Sequence, residues 1–390
     1  MLPTSTEVLI VGAGPTGLAL AVALRQTGVS HLLIDRLAEG QNTSRAAVIH
    51  AHTLEVLEPL GVVGELTGRG LKIERFALRD RDRALLQLHF GKLPSAYKFM
   101  LMLPQDITER VLADRLVALG GAVHRGVTAT AVTQDAAGAR VTVRSAAGEQ
   151  VISARYVVAG DGMHSLVRET AGIAFEGDAH AESFILADVR MRWPLGREEV
   201  SLLFSKDGMV VVAPLPDGSF RIVATMEDAP KAPDAADIAA LLDARGPSGG
   251  QTAVEAVLWS SRFRIQHRVA ASYRAGRLFL MGDAAHVHSP AGGQGMNTGL
   301  VDAVTLGGIL ADVVSGRQPE AWLERYGALR RPAAQRVLTL AGRLTTIAVT
   351  RSAPQRALRN AALSIMDAVP PVKDRLAMNL SGLARRDLAA

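Results

Sequence analysis

Apolar residues near the start of the chain come in short unbroken runs. Glu7 to Val11 ends at a glycine after four consecutive apolar residues, which predicts a strand buried on both faces. Pro15 to Gln26 switches to helical spacing, with a proline in the first turn where a helix tolerates one. His31 to Asp35 (HLLID) is a second buried run. Together these predict a strand–helix–strand unit of about 30 residues. Helical spacing returns at Arg45 to Leu60 and at Ile107 to Leu119, the latter with Val111, Leu112, Leu116 and Leu119 apolar. Ala122 to Val132 and Arg140 to Val143 predict strands joined by a turn at Ala136-Ala137-Gly138. Arg155 to Ala159 predicts a buried strand entering Gly160-Asp161-Gly162.

Between about 175 and 270 the pattern changes. Ser183 to Arg192, Val200 to Phe204, Met209 to Ala213 and Ser219 to Met226 are strand-like, and Pro216-Asp217-Gly218 is suited to a hairpin turn. This predicts a mostly antiparallel sheet inserted into the first unit. Leu278 to Met281 returns to a buried strand, Gly299 to Val314 and Trp322 to Leu340 predict helices, and the residues after Arg351 are helical in pattern and basic. No repeat or long low-complexity linker interrupts this order.

Composition narrows the class. The 390 residues are 48% hydrophobic, enough for two domains with substantial cores. No apolar run is read as a membrane span, and the first residues lack a signal-peptide pattern, so a cytoplasmic protein with no membrane partner is expected. With no cysteine, the chain carries no disulfide, thiolate metal site or dithiol redox chemistry, and any redox work needs a bound cofactor. The net charge of +5 is spread along the chain, which gives no nucleic-acid footprint.

The chemistry gathers in two glycine-rich segments at opposite ends of the chain. In the first, Gly12 suits a tight turn out of a strand, Gly14 lets a pyrophosphate approach the backbone, and Gly17 lets the following helix pack on the sheet. Asp35 lies 18 residues after Gly17 at the end of the second strand, where a carboxylate accepts from an adenosine ribose. In the second, Asp283 follows a buried strand and can accept from a ribityl chain. Gly292 to Gly295 opens a helix whose N–H groups can face a flavin's pyrimidine edge. His286 and His288 have no third ligand nearby, so no metal site is expected.

Three motifs in order resemble the class A flavoprotein monooxygenases, the para-hydroxybenzoate hydroxylase family. They are Gly12-x-Gly14-x-x-Gly17, then Gly160-Asp161-Gly162 running to Arg168, then Gly282-Asp283-Ala284-Ala285-His286. The resemblance implies an α/β fold: a Rossmann-type FAD-binding domain (1–70, 100–174, 272–345), an inserted, mostly antiparallel β-sheet substrate domain (71–99, 175–271), and C-terminal helices (346–390). It implies FAD as cofactor and NADPH or NADH as transient reductant. The flavin C4a-hydroperoxide would transfer oxygen from O2 to a small aromatic or polycyclic substrate. Carried over by residue, Asp35 matches the ribose-binding acid, Arg36 packs near the adenine, Arg45 reaches the phosphates and Gln105 lies near the ribityl side. Asp161 falls in the motif that the resemblance implicates in contacts to FAD and the nicotinamide cofactor, and Asp283 matches the ribityl-binding aspartate. Pro290 resembles the proline beside the isoalloxazine, and Gly295, Met296 and Asn297 resemble the amide donors to its pyrimidine edge.

No second glycine-rich dinucleotide unit follows a strand, so no separate nicotinamide domain is expected. A reductase or halogenase on the same fold, or a non-catalytic flavin-binding protein, remains open as an alternative. The halogenase Trp-x-Trp-x-Ile-Pro signature is absent. Tyr97, His89 and Arg264 are weighed as groups near the substrate, but none is assigned a catalytic role. Leu202, Leu203, Val210, Val212 and Ile222 suit an apolar pocket and equally a packed core. Monomer and homodimer both remain open, as do pocket-capping and dimer-contact roles for the C-terminal helices.

Overall fold

The computed structural model describes residues 2–40, 46–226, 229–249, 251–290, 292–348 and 352–389. The chain opens with β1 (Ser5–Val11), α1 (Pro15–Gln26) and β2 (His31–Asp35). Next come β3 (Val48–Ile49), α2 (Ala51–Leu57), α3 (Val63–Arg69), β4 (Leu71–Ile73), β5 (Arg75–Asp80), β6 (Arg83–His89) and β7 (Met100–Met102). Then follow α4 (Gln105–Ala118), β8 (Val123–Arg125), β9 (Thr128–Gln134), β10 (Ala139–Ser145), β11 (Gly148–Ala159) and α5 (Leu166–Thr170). The central insertion holds β12 (Phe175–Arg192), β13 (Glu199–Ser205), β14 (Gly208–Pro214), β15 (Phe220–Thr225), α6 (Ala235–Arg245) and β16 (Ala253–Ala270). The chain closes with β17 (Arg274–Ala275), β18 (Leu278–Leu280), β19 (His286–Val287), α7 (Gly295–Val314), α8 (Glu324–Ala348), α9 (Ala353–Asp367) and α10 (Pro370–Leu380).

One sheet runs β17-β18-β11-β1-β2-β8, with β10 on β11 and β9 on β10. From β18 to β8 its strands are parallel. α1 packs against α4 and α7, and the strand–helix core (Leu9, Ile10, Leu18, Leu20, Val157, Phe279, Leu306) is closed to solvent. The second sheet runs β19-β16-β12-β15-β14-β13-β5-β6 and is antiparallel except where β13 pairs with β5. A small third sheet, β3-β7-β4, is built from strands that flank β5 and β6 in sequence. α9 and α10 pack on β6.

The α1 and β2 limits are those the periodicity predicts. The Pro216–Gly218 turn also forms, closed by Leu215 N–H donating to Ser219 O at 2.9 Å. Three expectations are corrected. The Arg45 to Leu60 helix is confined, among the described residues, to Ala51–Leu57 and a 3-10 turn, because Val48 and Ile49 pair with Met102 and Leu101 instead. The strand at Ala122 to Val132 is two strands. Gly126 at φ +68 breaks it, so Val123–Arg125 extends the parallel sheet while Thr128–Gln134 turns to pair with β10. One helix, α7, is long and apolar enough by length and composition to cross a membrane, but 78% of that stretch is buried inside the protein as its central core helix.

Candidate active site

Parallel register brings Val11, Ile34, Ala159 and Leu280 side by side, so the turns after β1, β2, β11 and β18 share one edge. Ligands of parallel α/β sheets bind at this carboxyl end. Gly12 sits at φ +104, and a Cβ there would stand 2.3 Å from Gly160 O. A Cβ on Gly17 would meet Gly12 O at 1.9 Å, whereas one on Gly14 would meet nothing within 4 Å. Two glycines therefore permit close backbone contact, and the third leaves open space above the N-terminus of α1.

Asp35 braces this turn as well as lining it. Its Oδ2 accepts from Ala13 N–H at 2.6 Å and its Oδ1 from Leu37 N–H at 2.8 Å. A carboxylate still has lone pairs for further donors. Beside it, Gln105 accepts from Ala46 N–H at 3.2 Å and donates to Glu109 at 2.9 Å. Burial pushes the Glu109 carboxyl above its ordinary value.

The two glycine-rich segments meet at Thr16. A Cβ on Gly282 would come within 2.9 Å of Thr16 Oγ1, and one on Gly299 within 2.5 Å, so the start of α1 wedges between the Asp283 turn and α7. Arg168 straps the middle motif to the last by donating to Met163 O at 2.9 Å and Ala284 O at 3.1 Å, with its guanidinium 4.0 Å from the Phe175 ring centre. Asp161 faces the same space. Burial pushes its carboxyl up, and Asp161 Oδ1 is enclosed without a hydrogen-bond partner.

Asp302, fully buried on α7, holds the Asp283 turn from behind. Its Oδ2 accepts from Gly282 N–H at 3.1 Å and pairs with His286 Nε2 at 2.7 Å, while its Oδ1 accepts from Arg330 Nε at 2.8 Å. Burial opposes its charge, but His286 and Arg330 outweigh that and hold the carboxyl below its ordinary value. His286 is thus committed to Asp302, and no cluster of metal-ligating side chains occurs among the described residues. At the start of α7 the first intrahelical bond runs from Thr298 N–H to Gln294 O, at 2.9 Å. The N–H groups of Gly295, Met296 and Asn297 precede it at the positive end of the helix. The Asn297 side chain bonds Val48 O, Gly293 O and His50 N–H, pinning β3 to this loop.

A cavity of about 690 Å³ runs from Gly12 and Asp35 past Asp161 and Asp283 to Pro290 and Met296. It continues onto one face of the second sheet. Arg36, Gly14, Gln105 and Gly295 also line it. Gly17 and Asn297 stand behind its wall, and Arg45 lies outside the described residues. Its size is within the range of small-molecule sites.

The sheet face decides between the two roles left open by the sequence. Of the five aliphatic residues suited to a pocket or a core, only Leu202 lines the cavity, together with Leu186, Val200, Met209, Val211, Ala213 and Val223. Leu203, Val210, Val212 and Ile222 point the other way and pack with Ile238, Leu241 and Leu242 of α6. Successive strand residues alternate faces, and apolar residues on both faces hide which set is inward. Tyr97, His89 and Arg264 do not line the cavity. Tyr97 donates to Glu58 at 2.6 Å, and burial followed by that acid pushes its phenol well above the ordinary value.

Sequence reasoning missed Arg221. It is 3% exposed, lines the cavity and donates from Nε and Nη2 to Asp188 at 2.7 Å each. Its Nη1 is buried without a partner. The available signal was an arginine inside the apolar strand FRIVAT, a position where burial needs pairing.

The residues present fit FAD: two helix N-termini, open space over Gly14, and an unpartnered carboxylate oxygen at Asp161 along one cavity. Residues 5–341 match the FAD binding domain family. The chain is 38% identical to a 6-methylpretetramide 4-monooxygenase of Streptomyces rimosus, over 97% of this chain and 69% of the relative. It is 35% identical to a pentachlorophenol 4-monooxygenase of Sphingobium chlorophenolicum, over 85% and 63%. Among solved structures, an anhydrotetracycline hydroxylase from Streptomyces rimosus superposes with TM-score 0.82 at 32% identity, covering 97% of this chain and 76% of that one. A p-nitrophenol 4-monooxygenase from Pseudomonas putida shares the fold at TM-score 0.89 and 23% identity, covering 99% of each chain. The chain belongs to the FAD binding domain family and is an FAD-dependent monooxygenase of the aromatic-hydroxylase type.

Proposed function

We propose that this chain uses NAD(P)H and O2 to hydroxylate an aromatic or polycyclic small molecule, as a soluble cytoplasmic enzyme. The observation that carries this reading is the continuity of one cavity from the Gly12 turn to the apolar face of the second sheet. Bound FAD supplies acceptance of electrons from NAD(P)H and activation of O2. The protein's part is placement and exclusion of water. Gly12, Gly14 and Gly17 with the N-terminus of α1 would take the pyrophosphate, and Asp35 the adenosine ribose with Arg36 beside it. Asp283 would accept from the ribityl hydroxyls. Pro290 and the N–H groups of Gly295, Met296 and Asn297 would frame the pyrimidine edge, and Asp161 would face the entry of the transient reductant. Gln105 and Arg45 remain assigned to the ribityl and phosphate sides.

On this reading Leu186, Leu202, Val211 and Val223 hold the substrate's hydrocarbon frame. Arg221 Nη1 donates to one of its oxygens. Because Asp188 already neutralises that guanidinium, the site suits a carbonyl or phenolic oxygen better than a free carboxylate. The two large sheets support a division into the two expected domains, although β19 on β16 and β4 on β7 pair across the expected boundaries, and α9 and α10 cap β6.

The test is reconstitution with FAD followed by NAD(P)H oxidation across polycyclic phenols and quinones under labelled O2. Substrate-stimulated oxidation with one labelled oxygen atom in the product supports the reading. Flavin binding with no oxygen transfer to any member of the panel would return the chain to a non-catalytic flavin-binding role.

A further inference from the structure

The C-terminal segment carries a buried charge that the roles above leave unused. Arg385 is 9% exposed. It follows Gly382, whose left-handed conformation (φ +81) turns the chain inward after α10. Its guanidinium donates to Asn379 O at 3.2 Å and to Gln294 Oε1 at 2.7 Å. Gln294 donates in turn to Gly292 O at 3.1 Å and Leu380 O at 2.9 Å. All these acceptors are neutral. The carboxylates of this region are engaged elsewhere: Asp302 with Arg330 and His286, Glu55 with Arg386 and Ser95. Among the described residues, Arg385 has no carboxylate partner. Burial, then Arg330 and Arg336, push its pKa down to about 10, which still leaves it charged at neutral pH. A buried charge without a counter-charge is costly, and an anion arriving nearby relieves that cost.

The direction of its field is legible in two histidines. Burial is the main reason His50 and His288 are both lowered to about 4, and Arg385 contributes to each. Both rings line the large cavity, beside Gly292, Gly293 and Gly295. The potential of Arg385 therefore reaches the cavity wall where the pyrimidine edge was placed above.

We propose that Arg385 is an electrostatic positioning residue, delivered by the C-terminal segment behind Gln294, that favours the reduced, anionic form of the bound cofactor. This rests on the cofactor placement just proposed. Hydride transfer from NAD(P)H gives FAD two electrons and one proton, so the nicotinamide is oxidised and the reduced ring carries one negative charge. Arg385 adds a full charge to the partial charge at the N-terminus of α7, and it acts through Gln294 without touching the ring.

The experiment compares midpoint potentials of FAD-loaded wild type, Arg385→Lys and Arg385→Gln. Arg385→Gln is expected to disfavour reduction about tenfold, a shift of about 30 mV for a two-electron couple. Arg385→Lys should stay within threefold of wild type. Equal potentials in wild type and Arg385→Gln would overturn the proposal, and so would a lysine variant shifted as far as the glutamine one, since that points to packing alone. If Arg385→Gln does not fold, Arg385→His replaces it. A histidine buried there is held neutral at pH 7, as His50 and His288 are, so the variant's potential must fall about as far as expected for Arg385→Gln, and a wild-type potential counts against the charge. In the flavin-free chain, Arg385→Gln should raise the pKa values of His50 and His288, and unmoved values would contradict the direction of the field. Failure of wild type to hold FAD would instead strike the cofactor placement, so the two failures are separable.

Discussion

The two glycine-rich segments look alike in sequence and are held by different means. The Gly12 turn is secured by its own neighbourhood: Gly12 N–H donates to Ile34 O at 2.8 Å, and Asp35 braces Ala13 and Leu37. These partners fall inside one strand–helix–strand unit. The Gly282 to Asn297 segment is secured from afar. Val48 and His50, Asp302 and Arg330, and Leu380 and Arg385 all bond to it or to its supports. The first is a local motif. The second is a loop whose shape exists only once the rest of the chain has packed around it, including the C-terminal segment.

That contrast can be broken experimentally. Asp302→Ala leaves Arg330 and His286 buried without their acid and should cost about 4 kcal/mol. Hydrogen exchange should open at Gly282 while Gly12 stays protected, and equal opening at both turns would show that the segments fold as one unit.

Acid should attack the second segment next. Burial lowers His50 to about 4, against 6.5 for the unfolded chain. The unfolded state then binds the proton first, so the stability is present above pH 6.5 and is lost as pH falls towards 4. For this one residue the loss is up to about 3 kcal/mol. Thermal melts across this window should flatten in His50→Gln, and an unchanged slope would remove His50 from the account.

Gly17→Ala drives a Cβ into Gly12 O and should cost about 2 kcal/mol or more, whereas Gly14→Ala has room and should leave the melting temperature nearly unchanged while weakening FAD. A Gly14→Ala protein with wild-type FAD affinity would argue against a phosphate at that spot. The smallest effect is expected for Asp283→Ala, with FAD bound about tenfold more weakly, or about 1.4 kcal/mol. Flavin fluorescence titration reads this directly, and unaltered affinity would withdraw the ribityl role.

The first strand, helix and second strand were legible because period and glycine spacing are local signals, and the Thr16 wedge then completed the meeting of the two segments. The pocket wall was less legible. Leu202 and Leu203 are equally apolar, yet one faces the cavity and the other faces α6, since both sides of that sheet are covered. Arg221 and Asp188 are ordinary charges in the sequence and become a buried pair only when β12 and β15 adjoin, with Asp188 opposite Arg221 in register.

By itself, the sequence determined the cofactor class, the strand–helix–strand cradle and the order of three motifs. Each single motif depends on backbone freedom or periodicity within a few tens of residues, and their order along the chain carries the family resemblance that implies the cofactor. Tertiary structure decided which face of the second sheet lines the cavity. It also decided that Asp302 and Arg330 brace the Asp283 turn and that the C-terminal segment brings Arg385 behind Gln294. Those are contacts between residues far apart in the chain, and their geometry depends on how the sheets and helices pack.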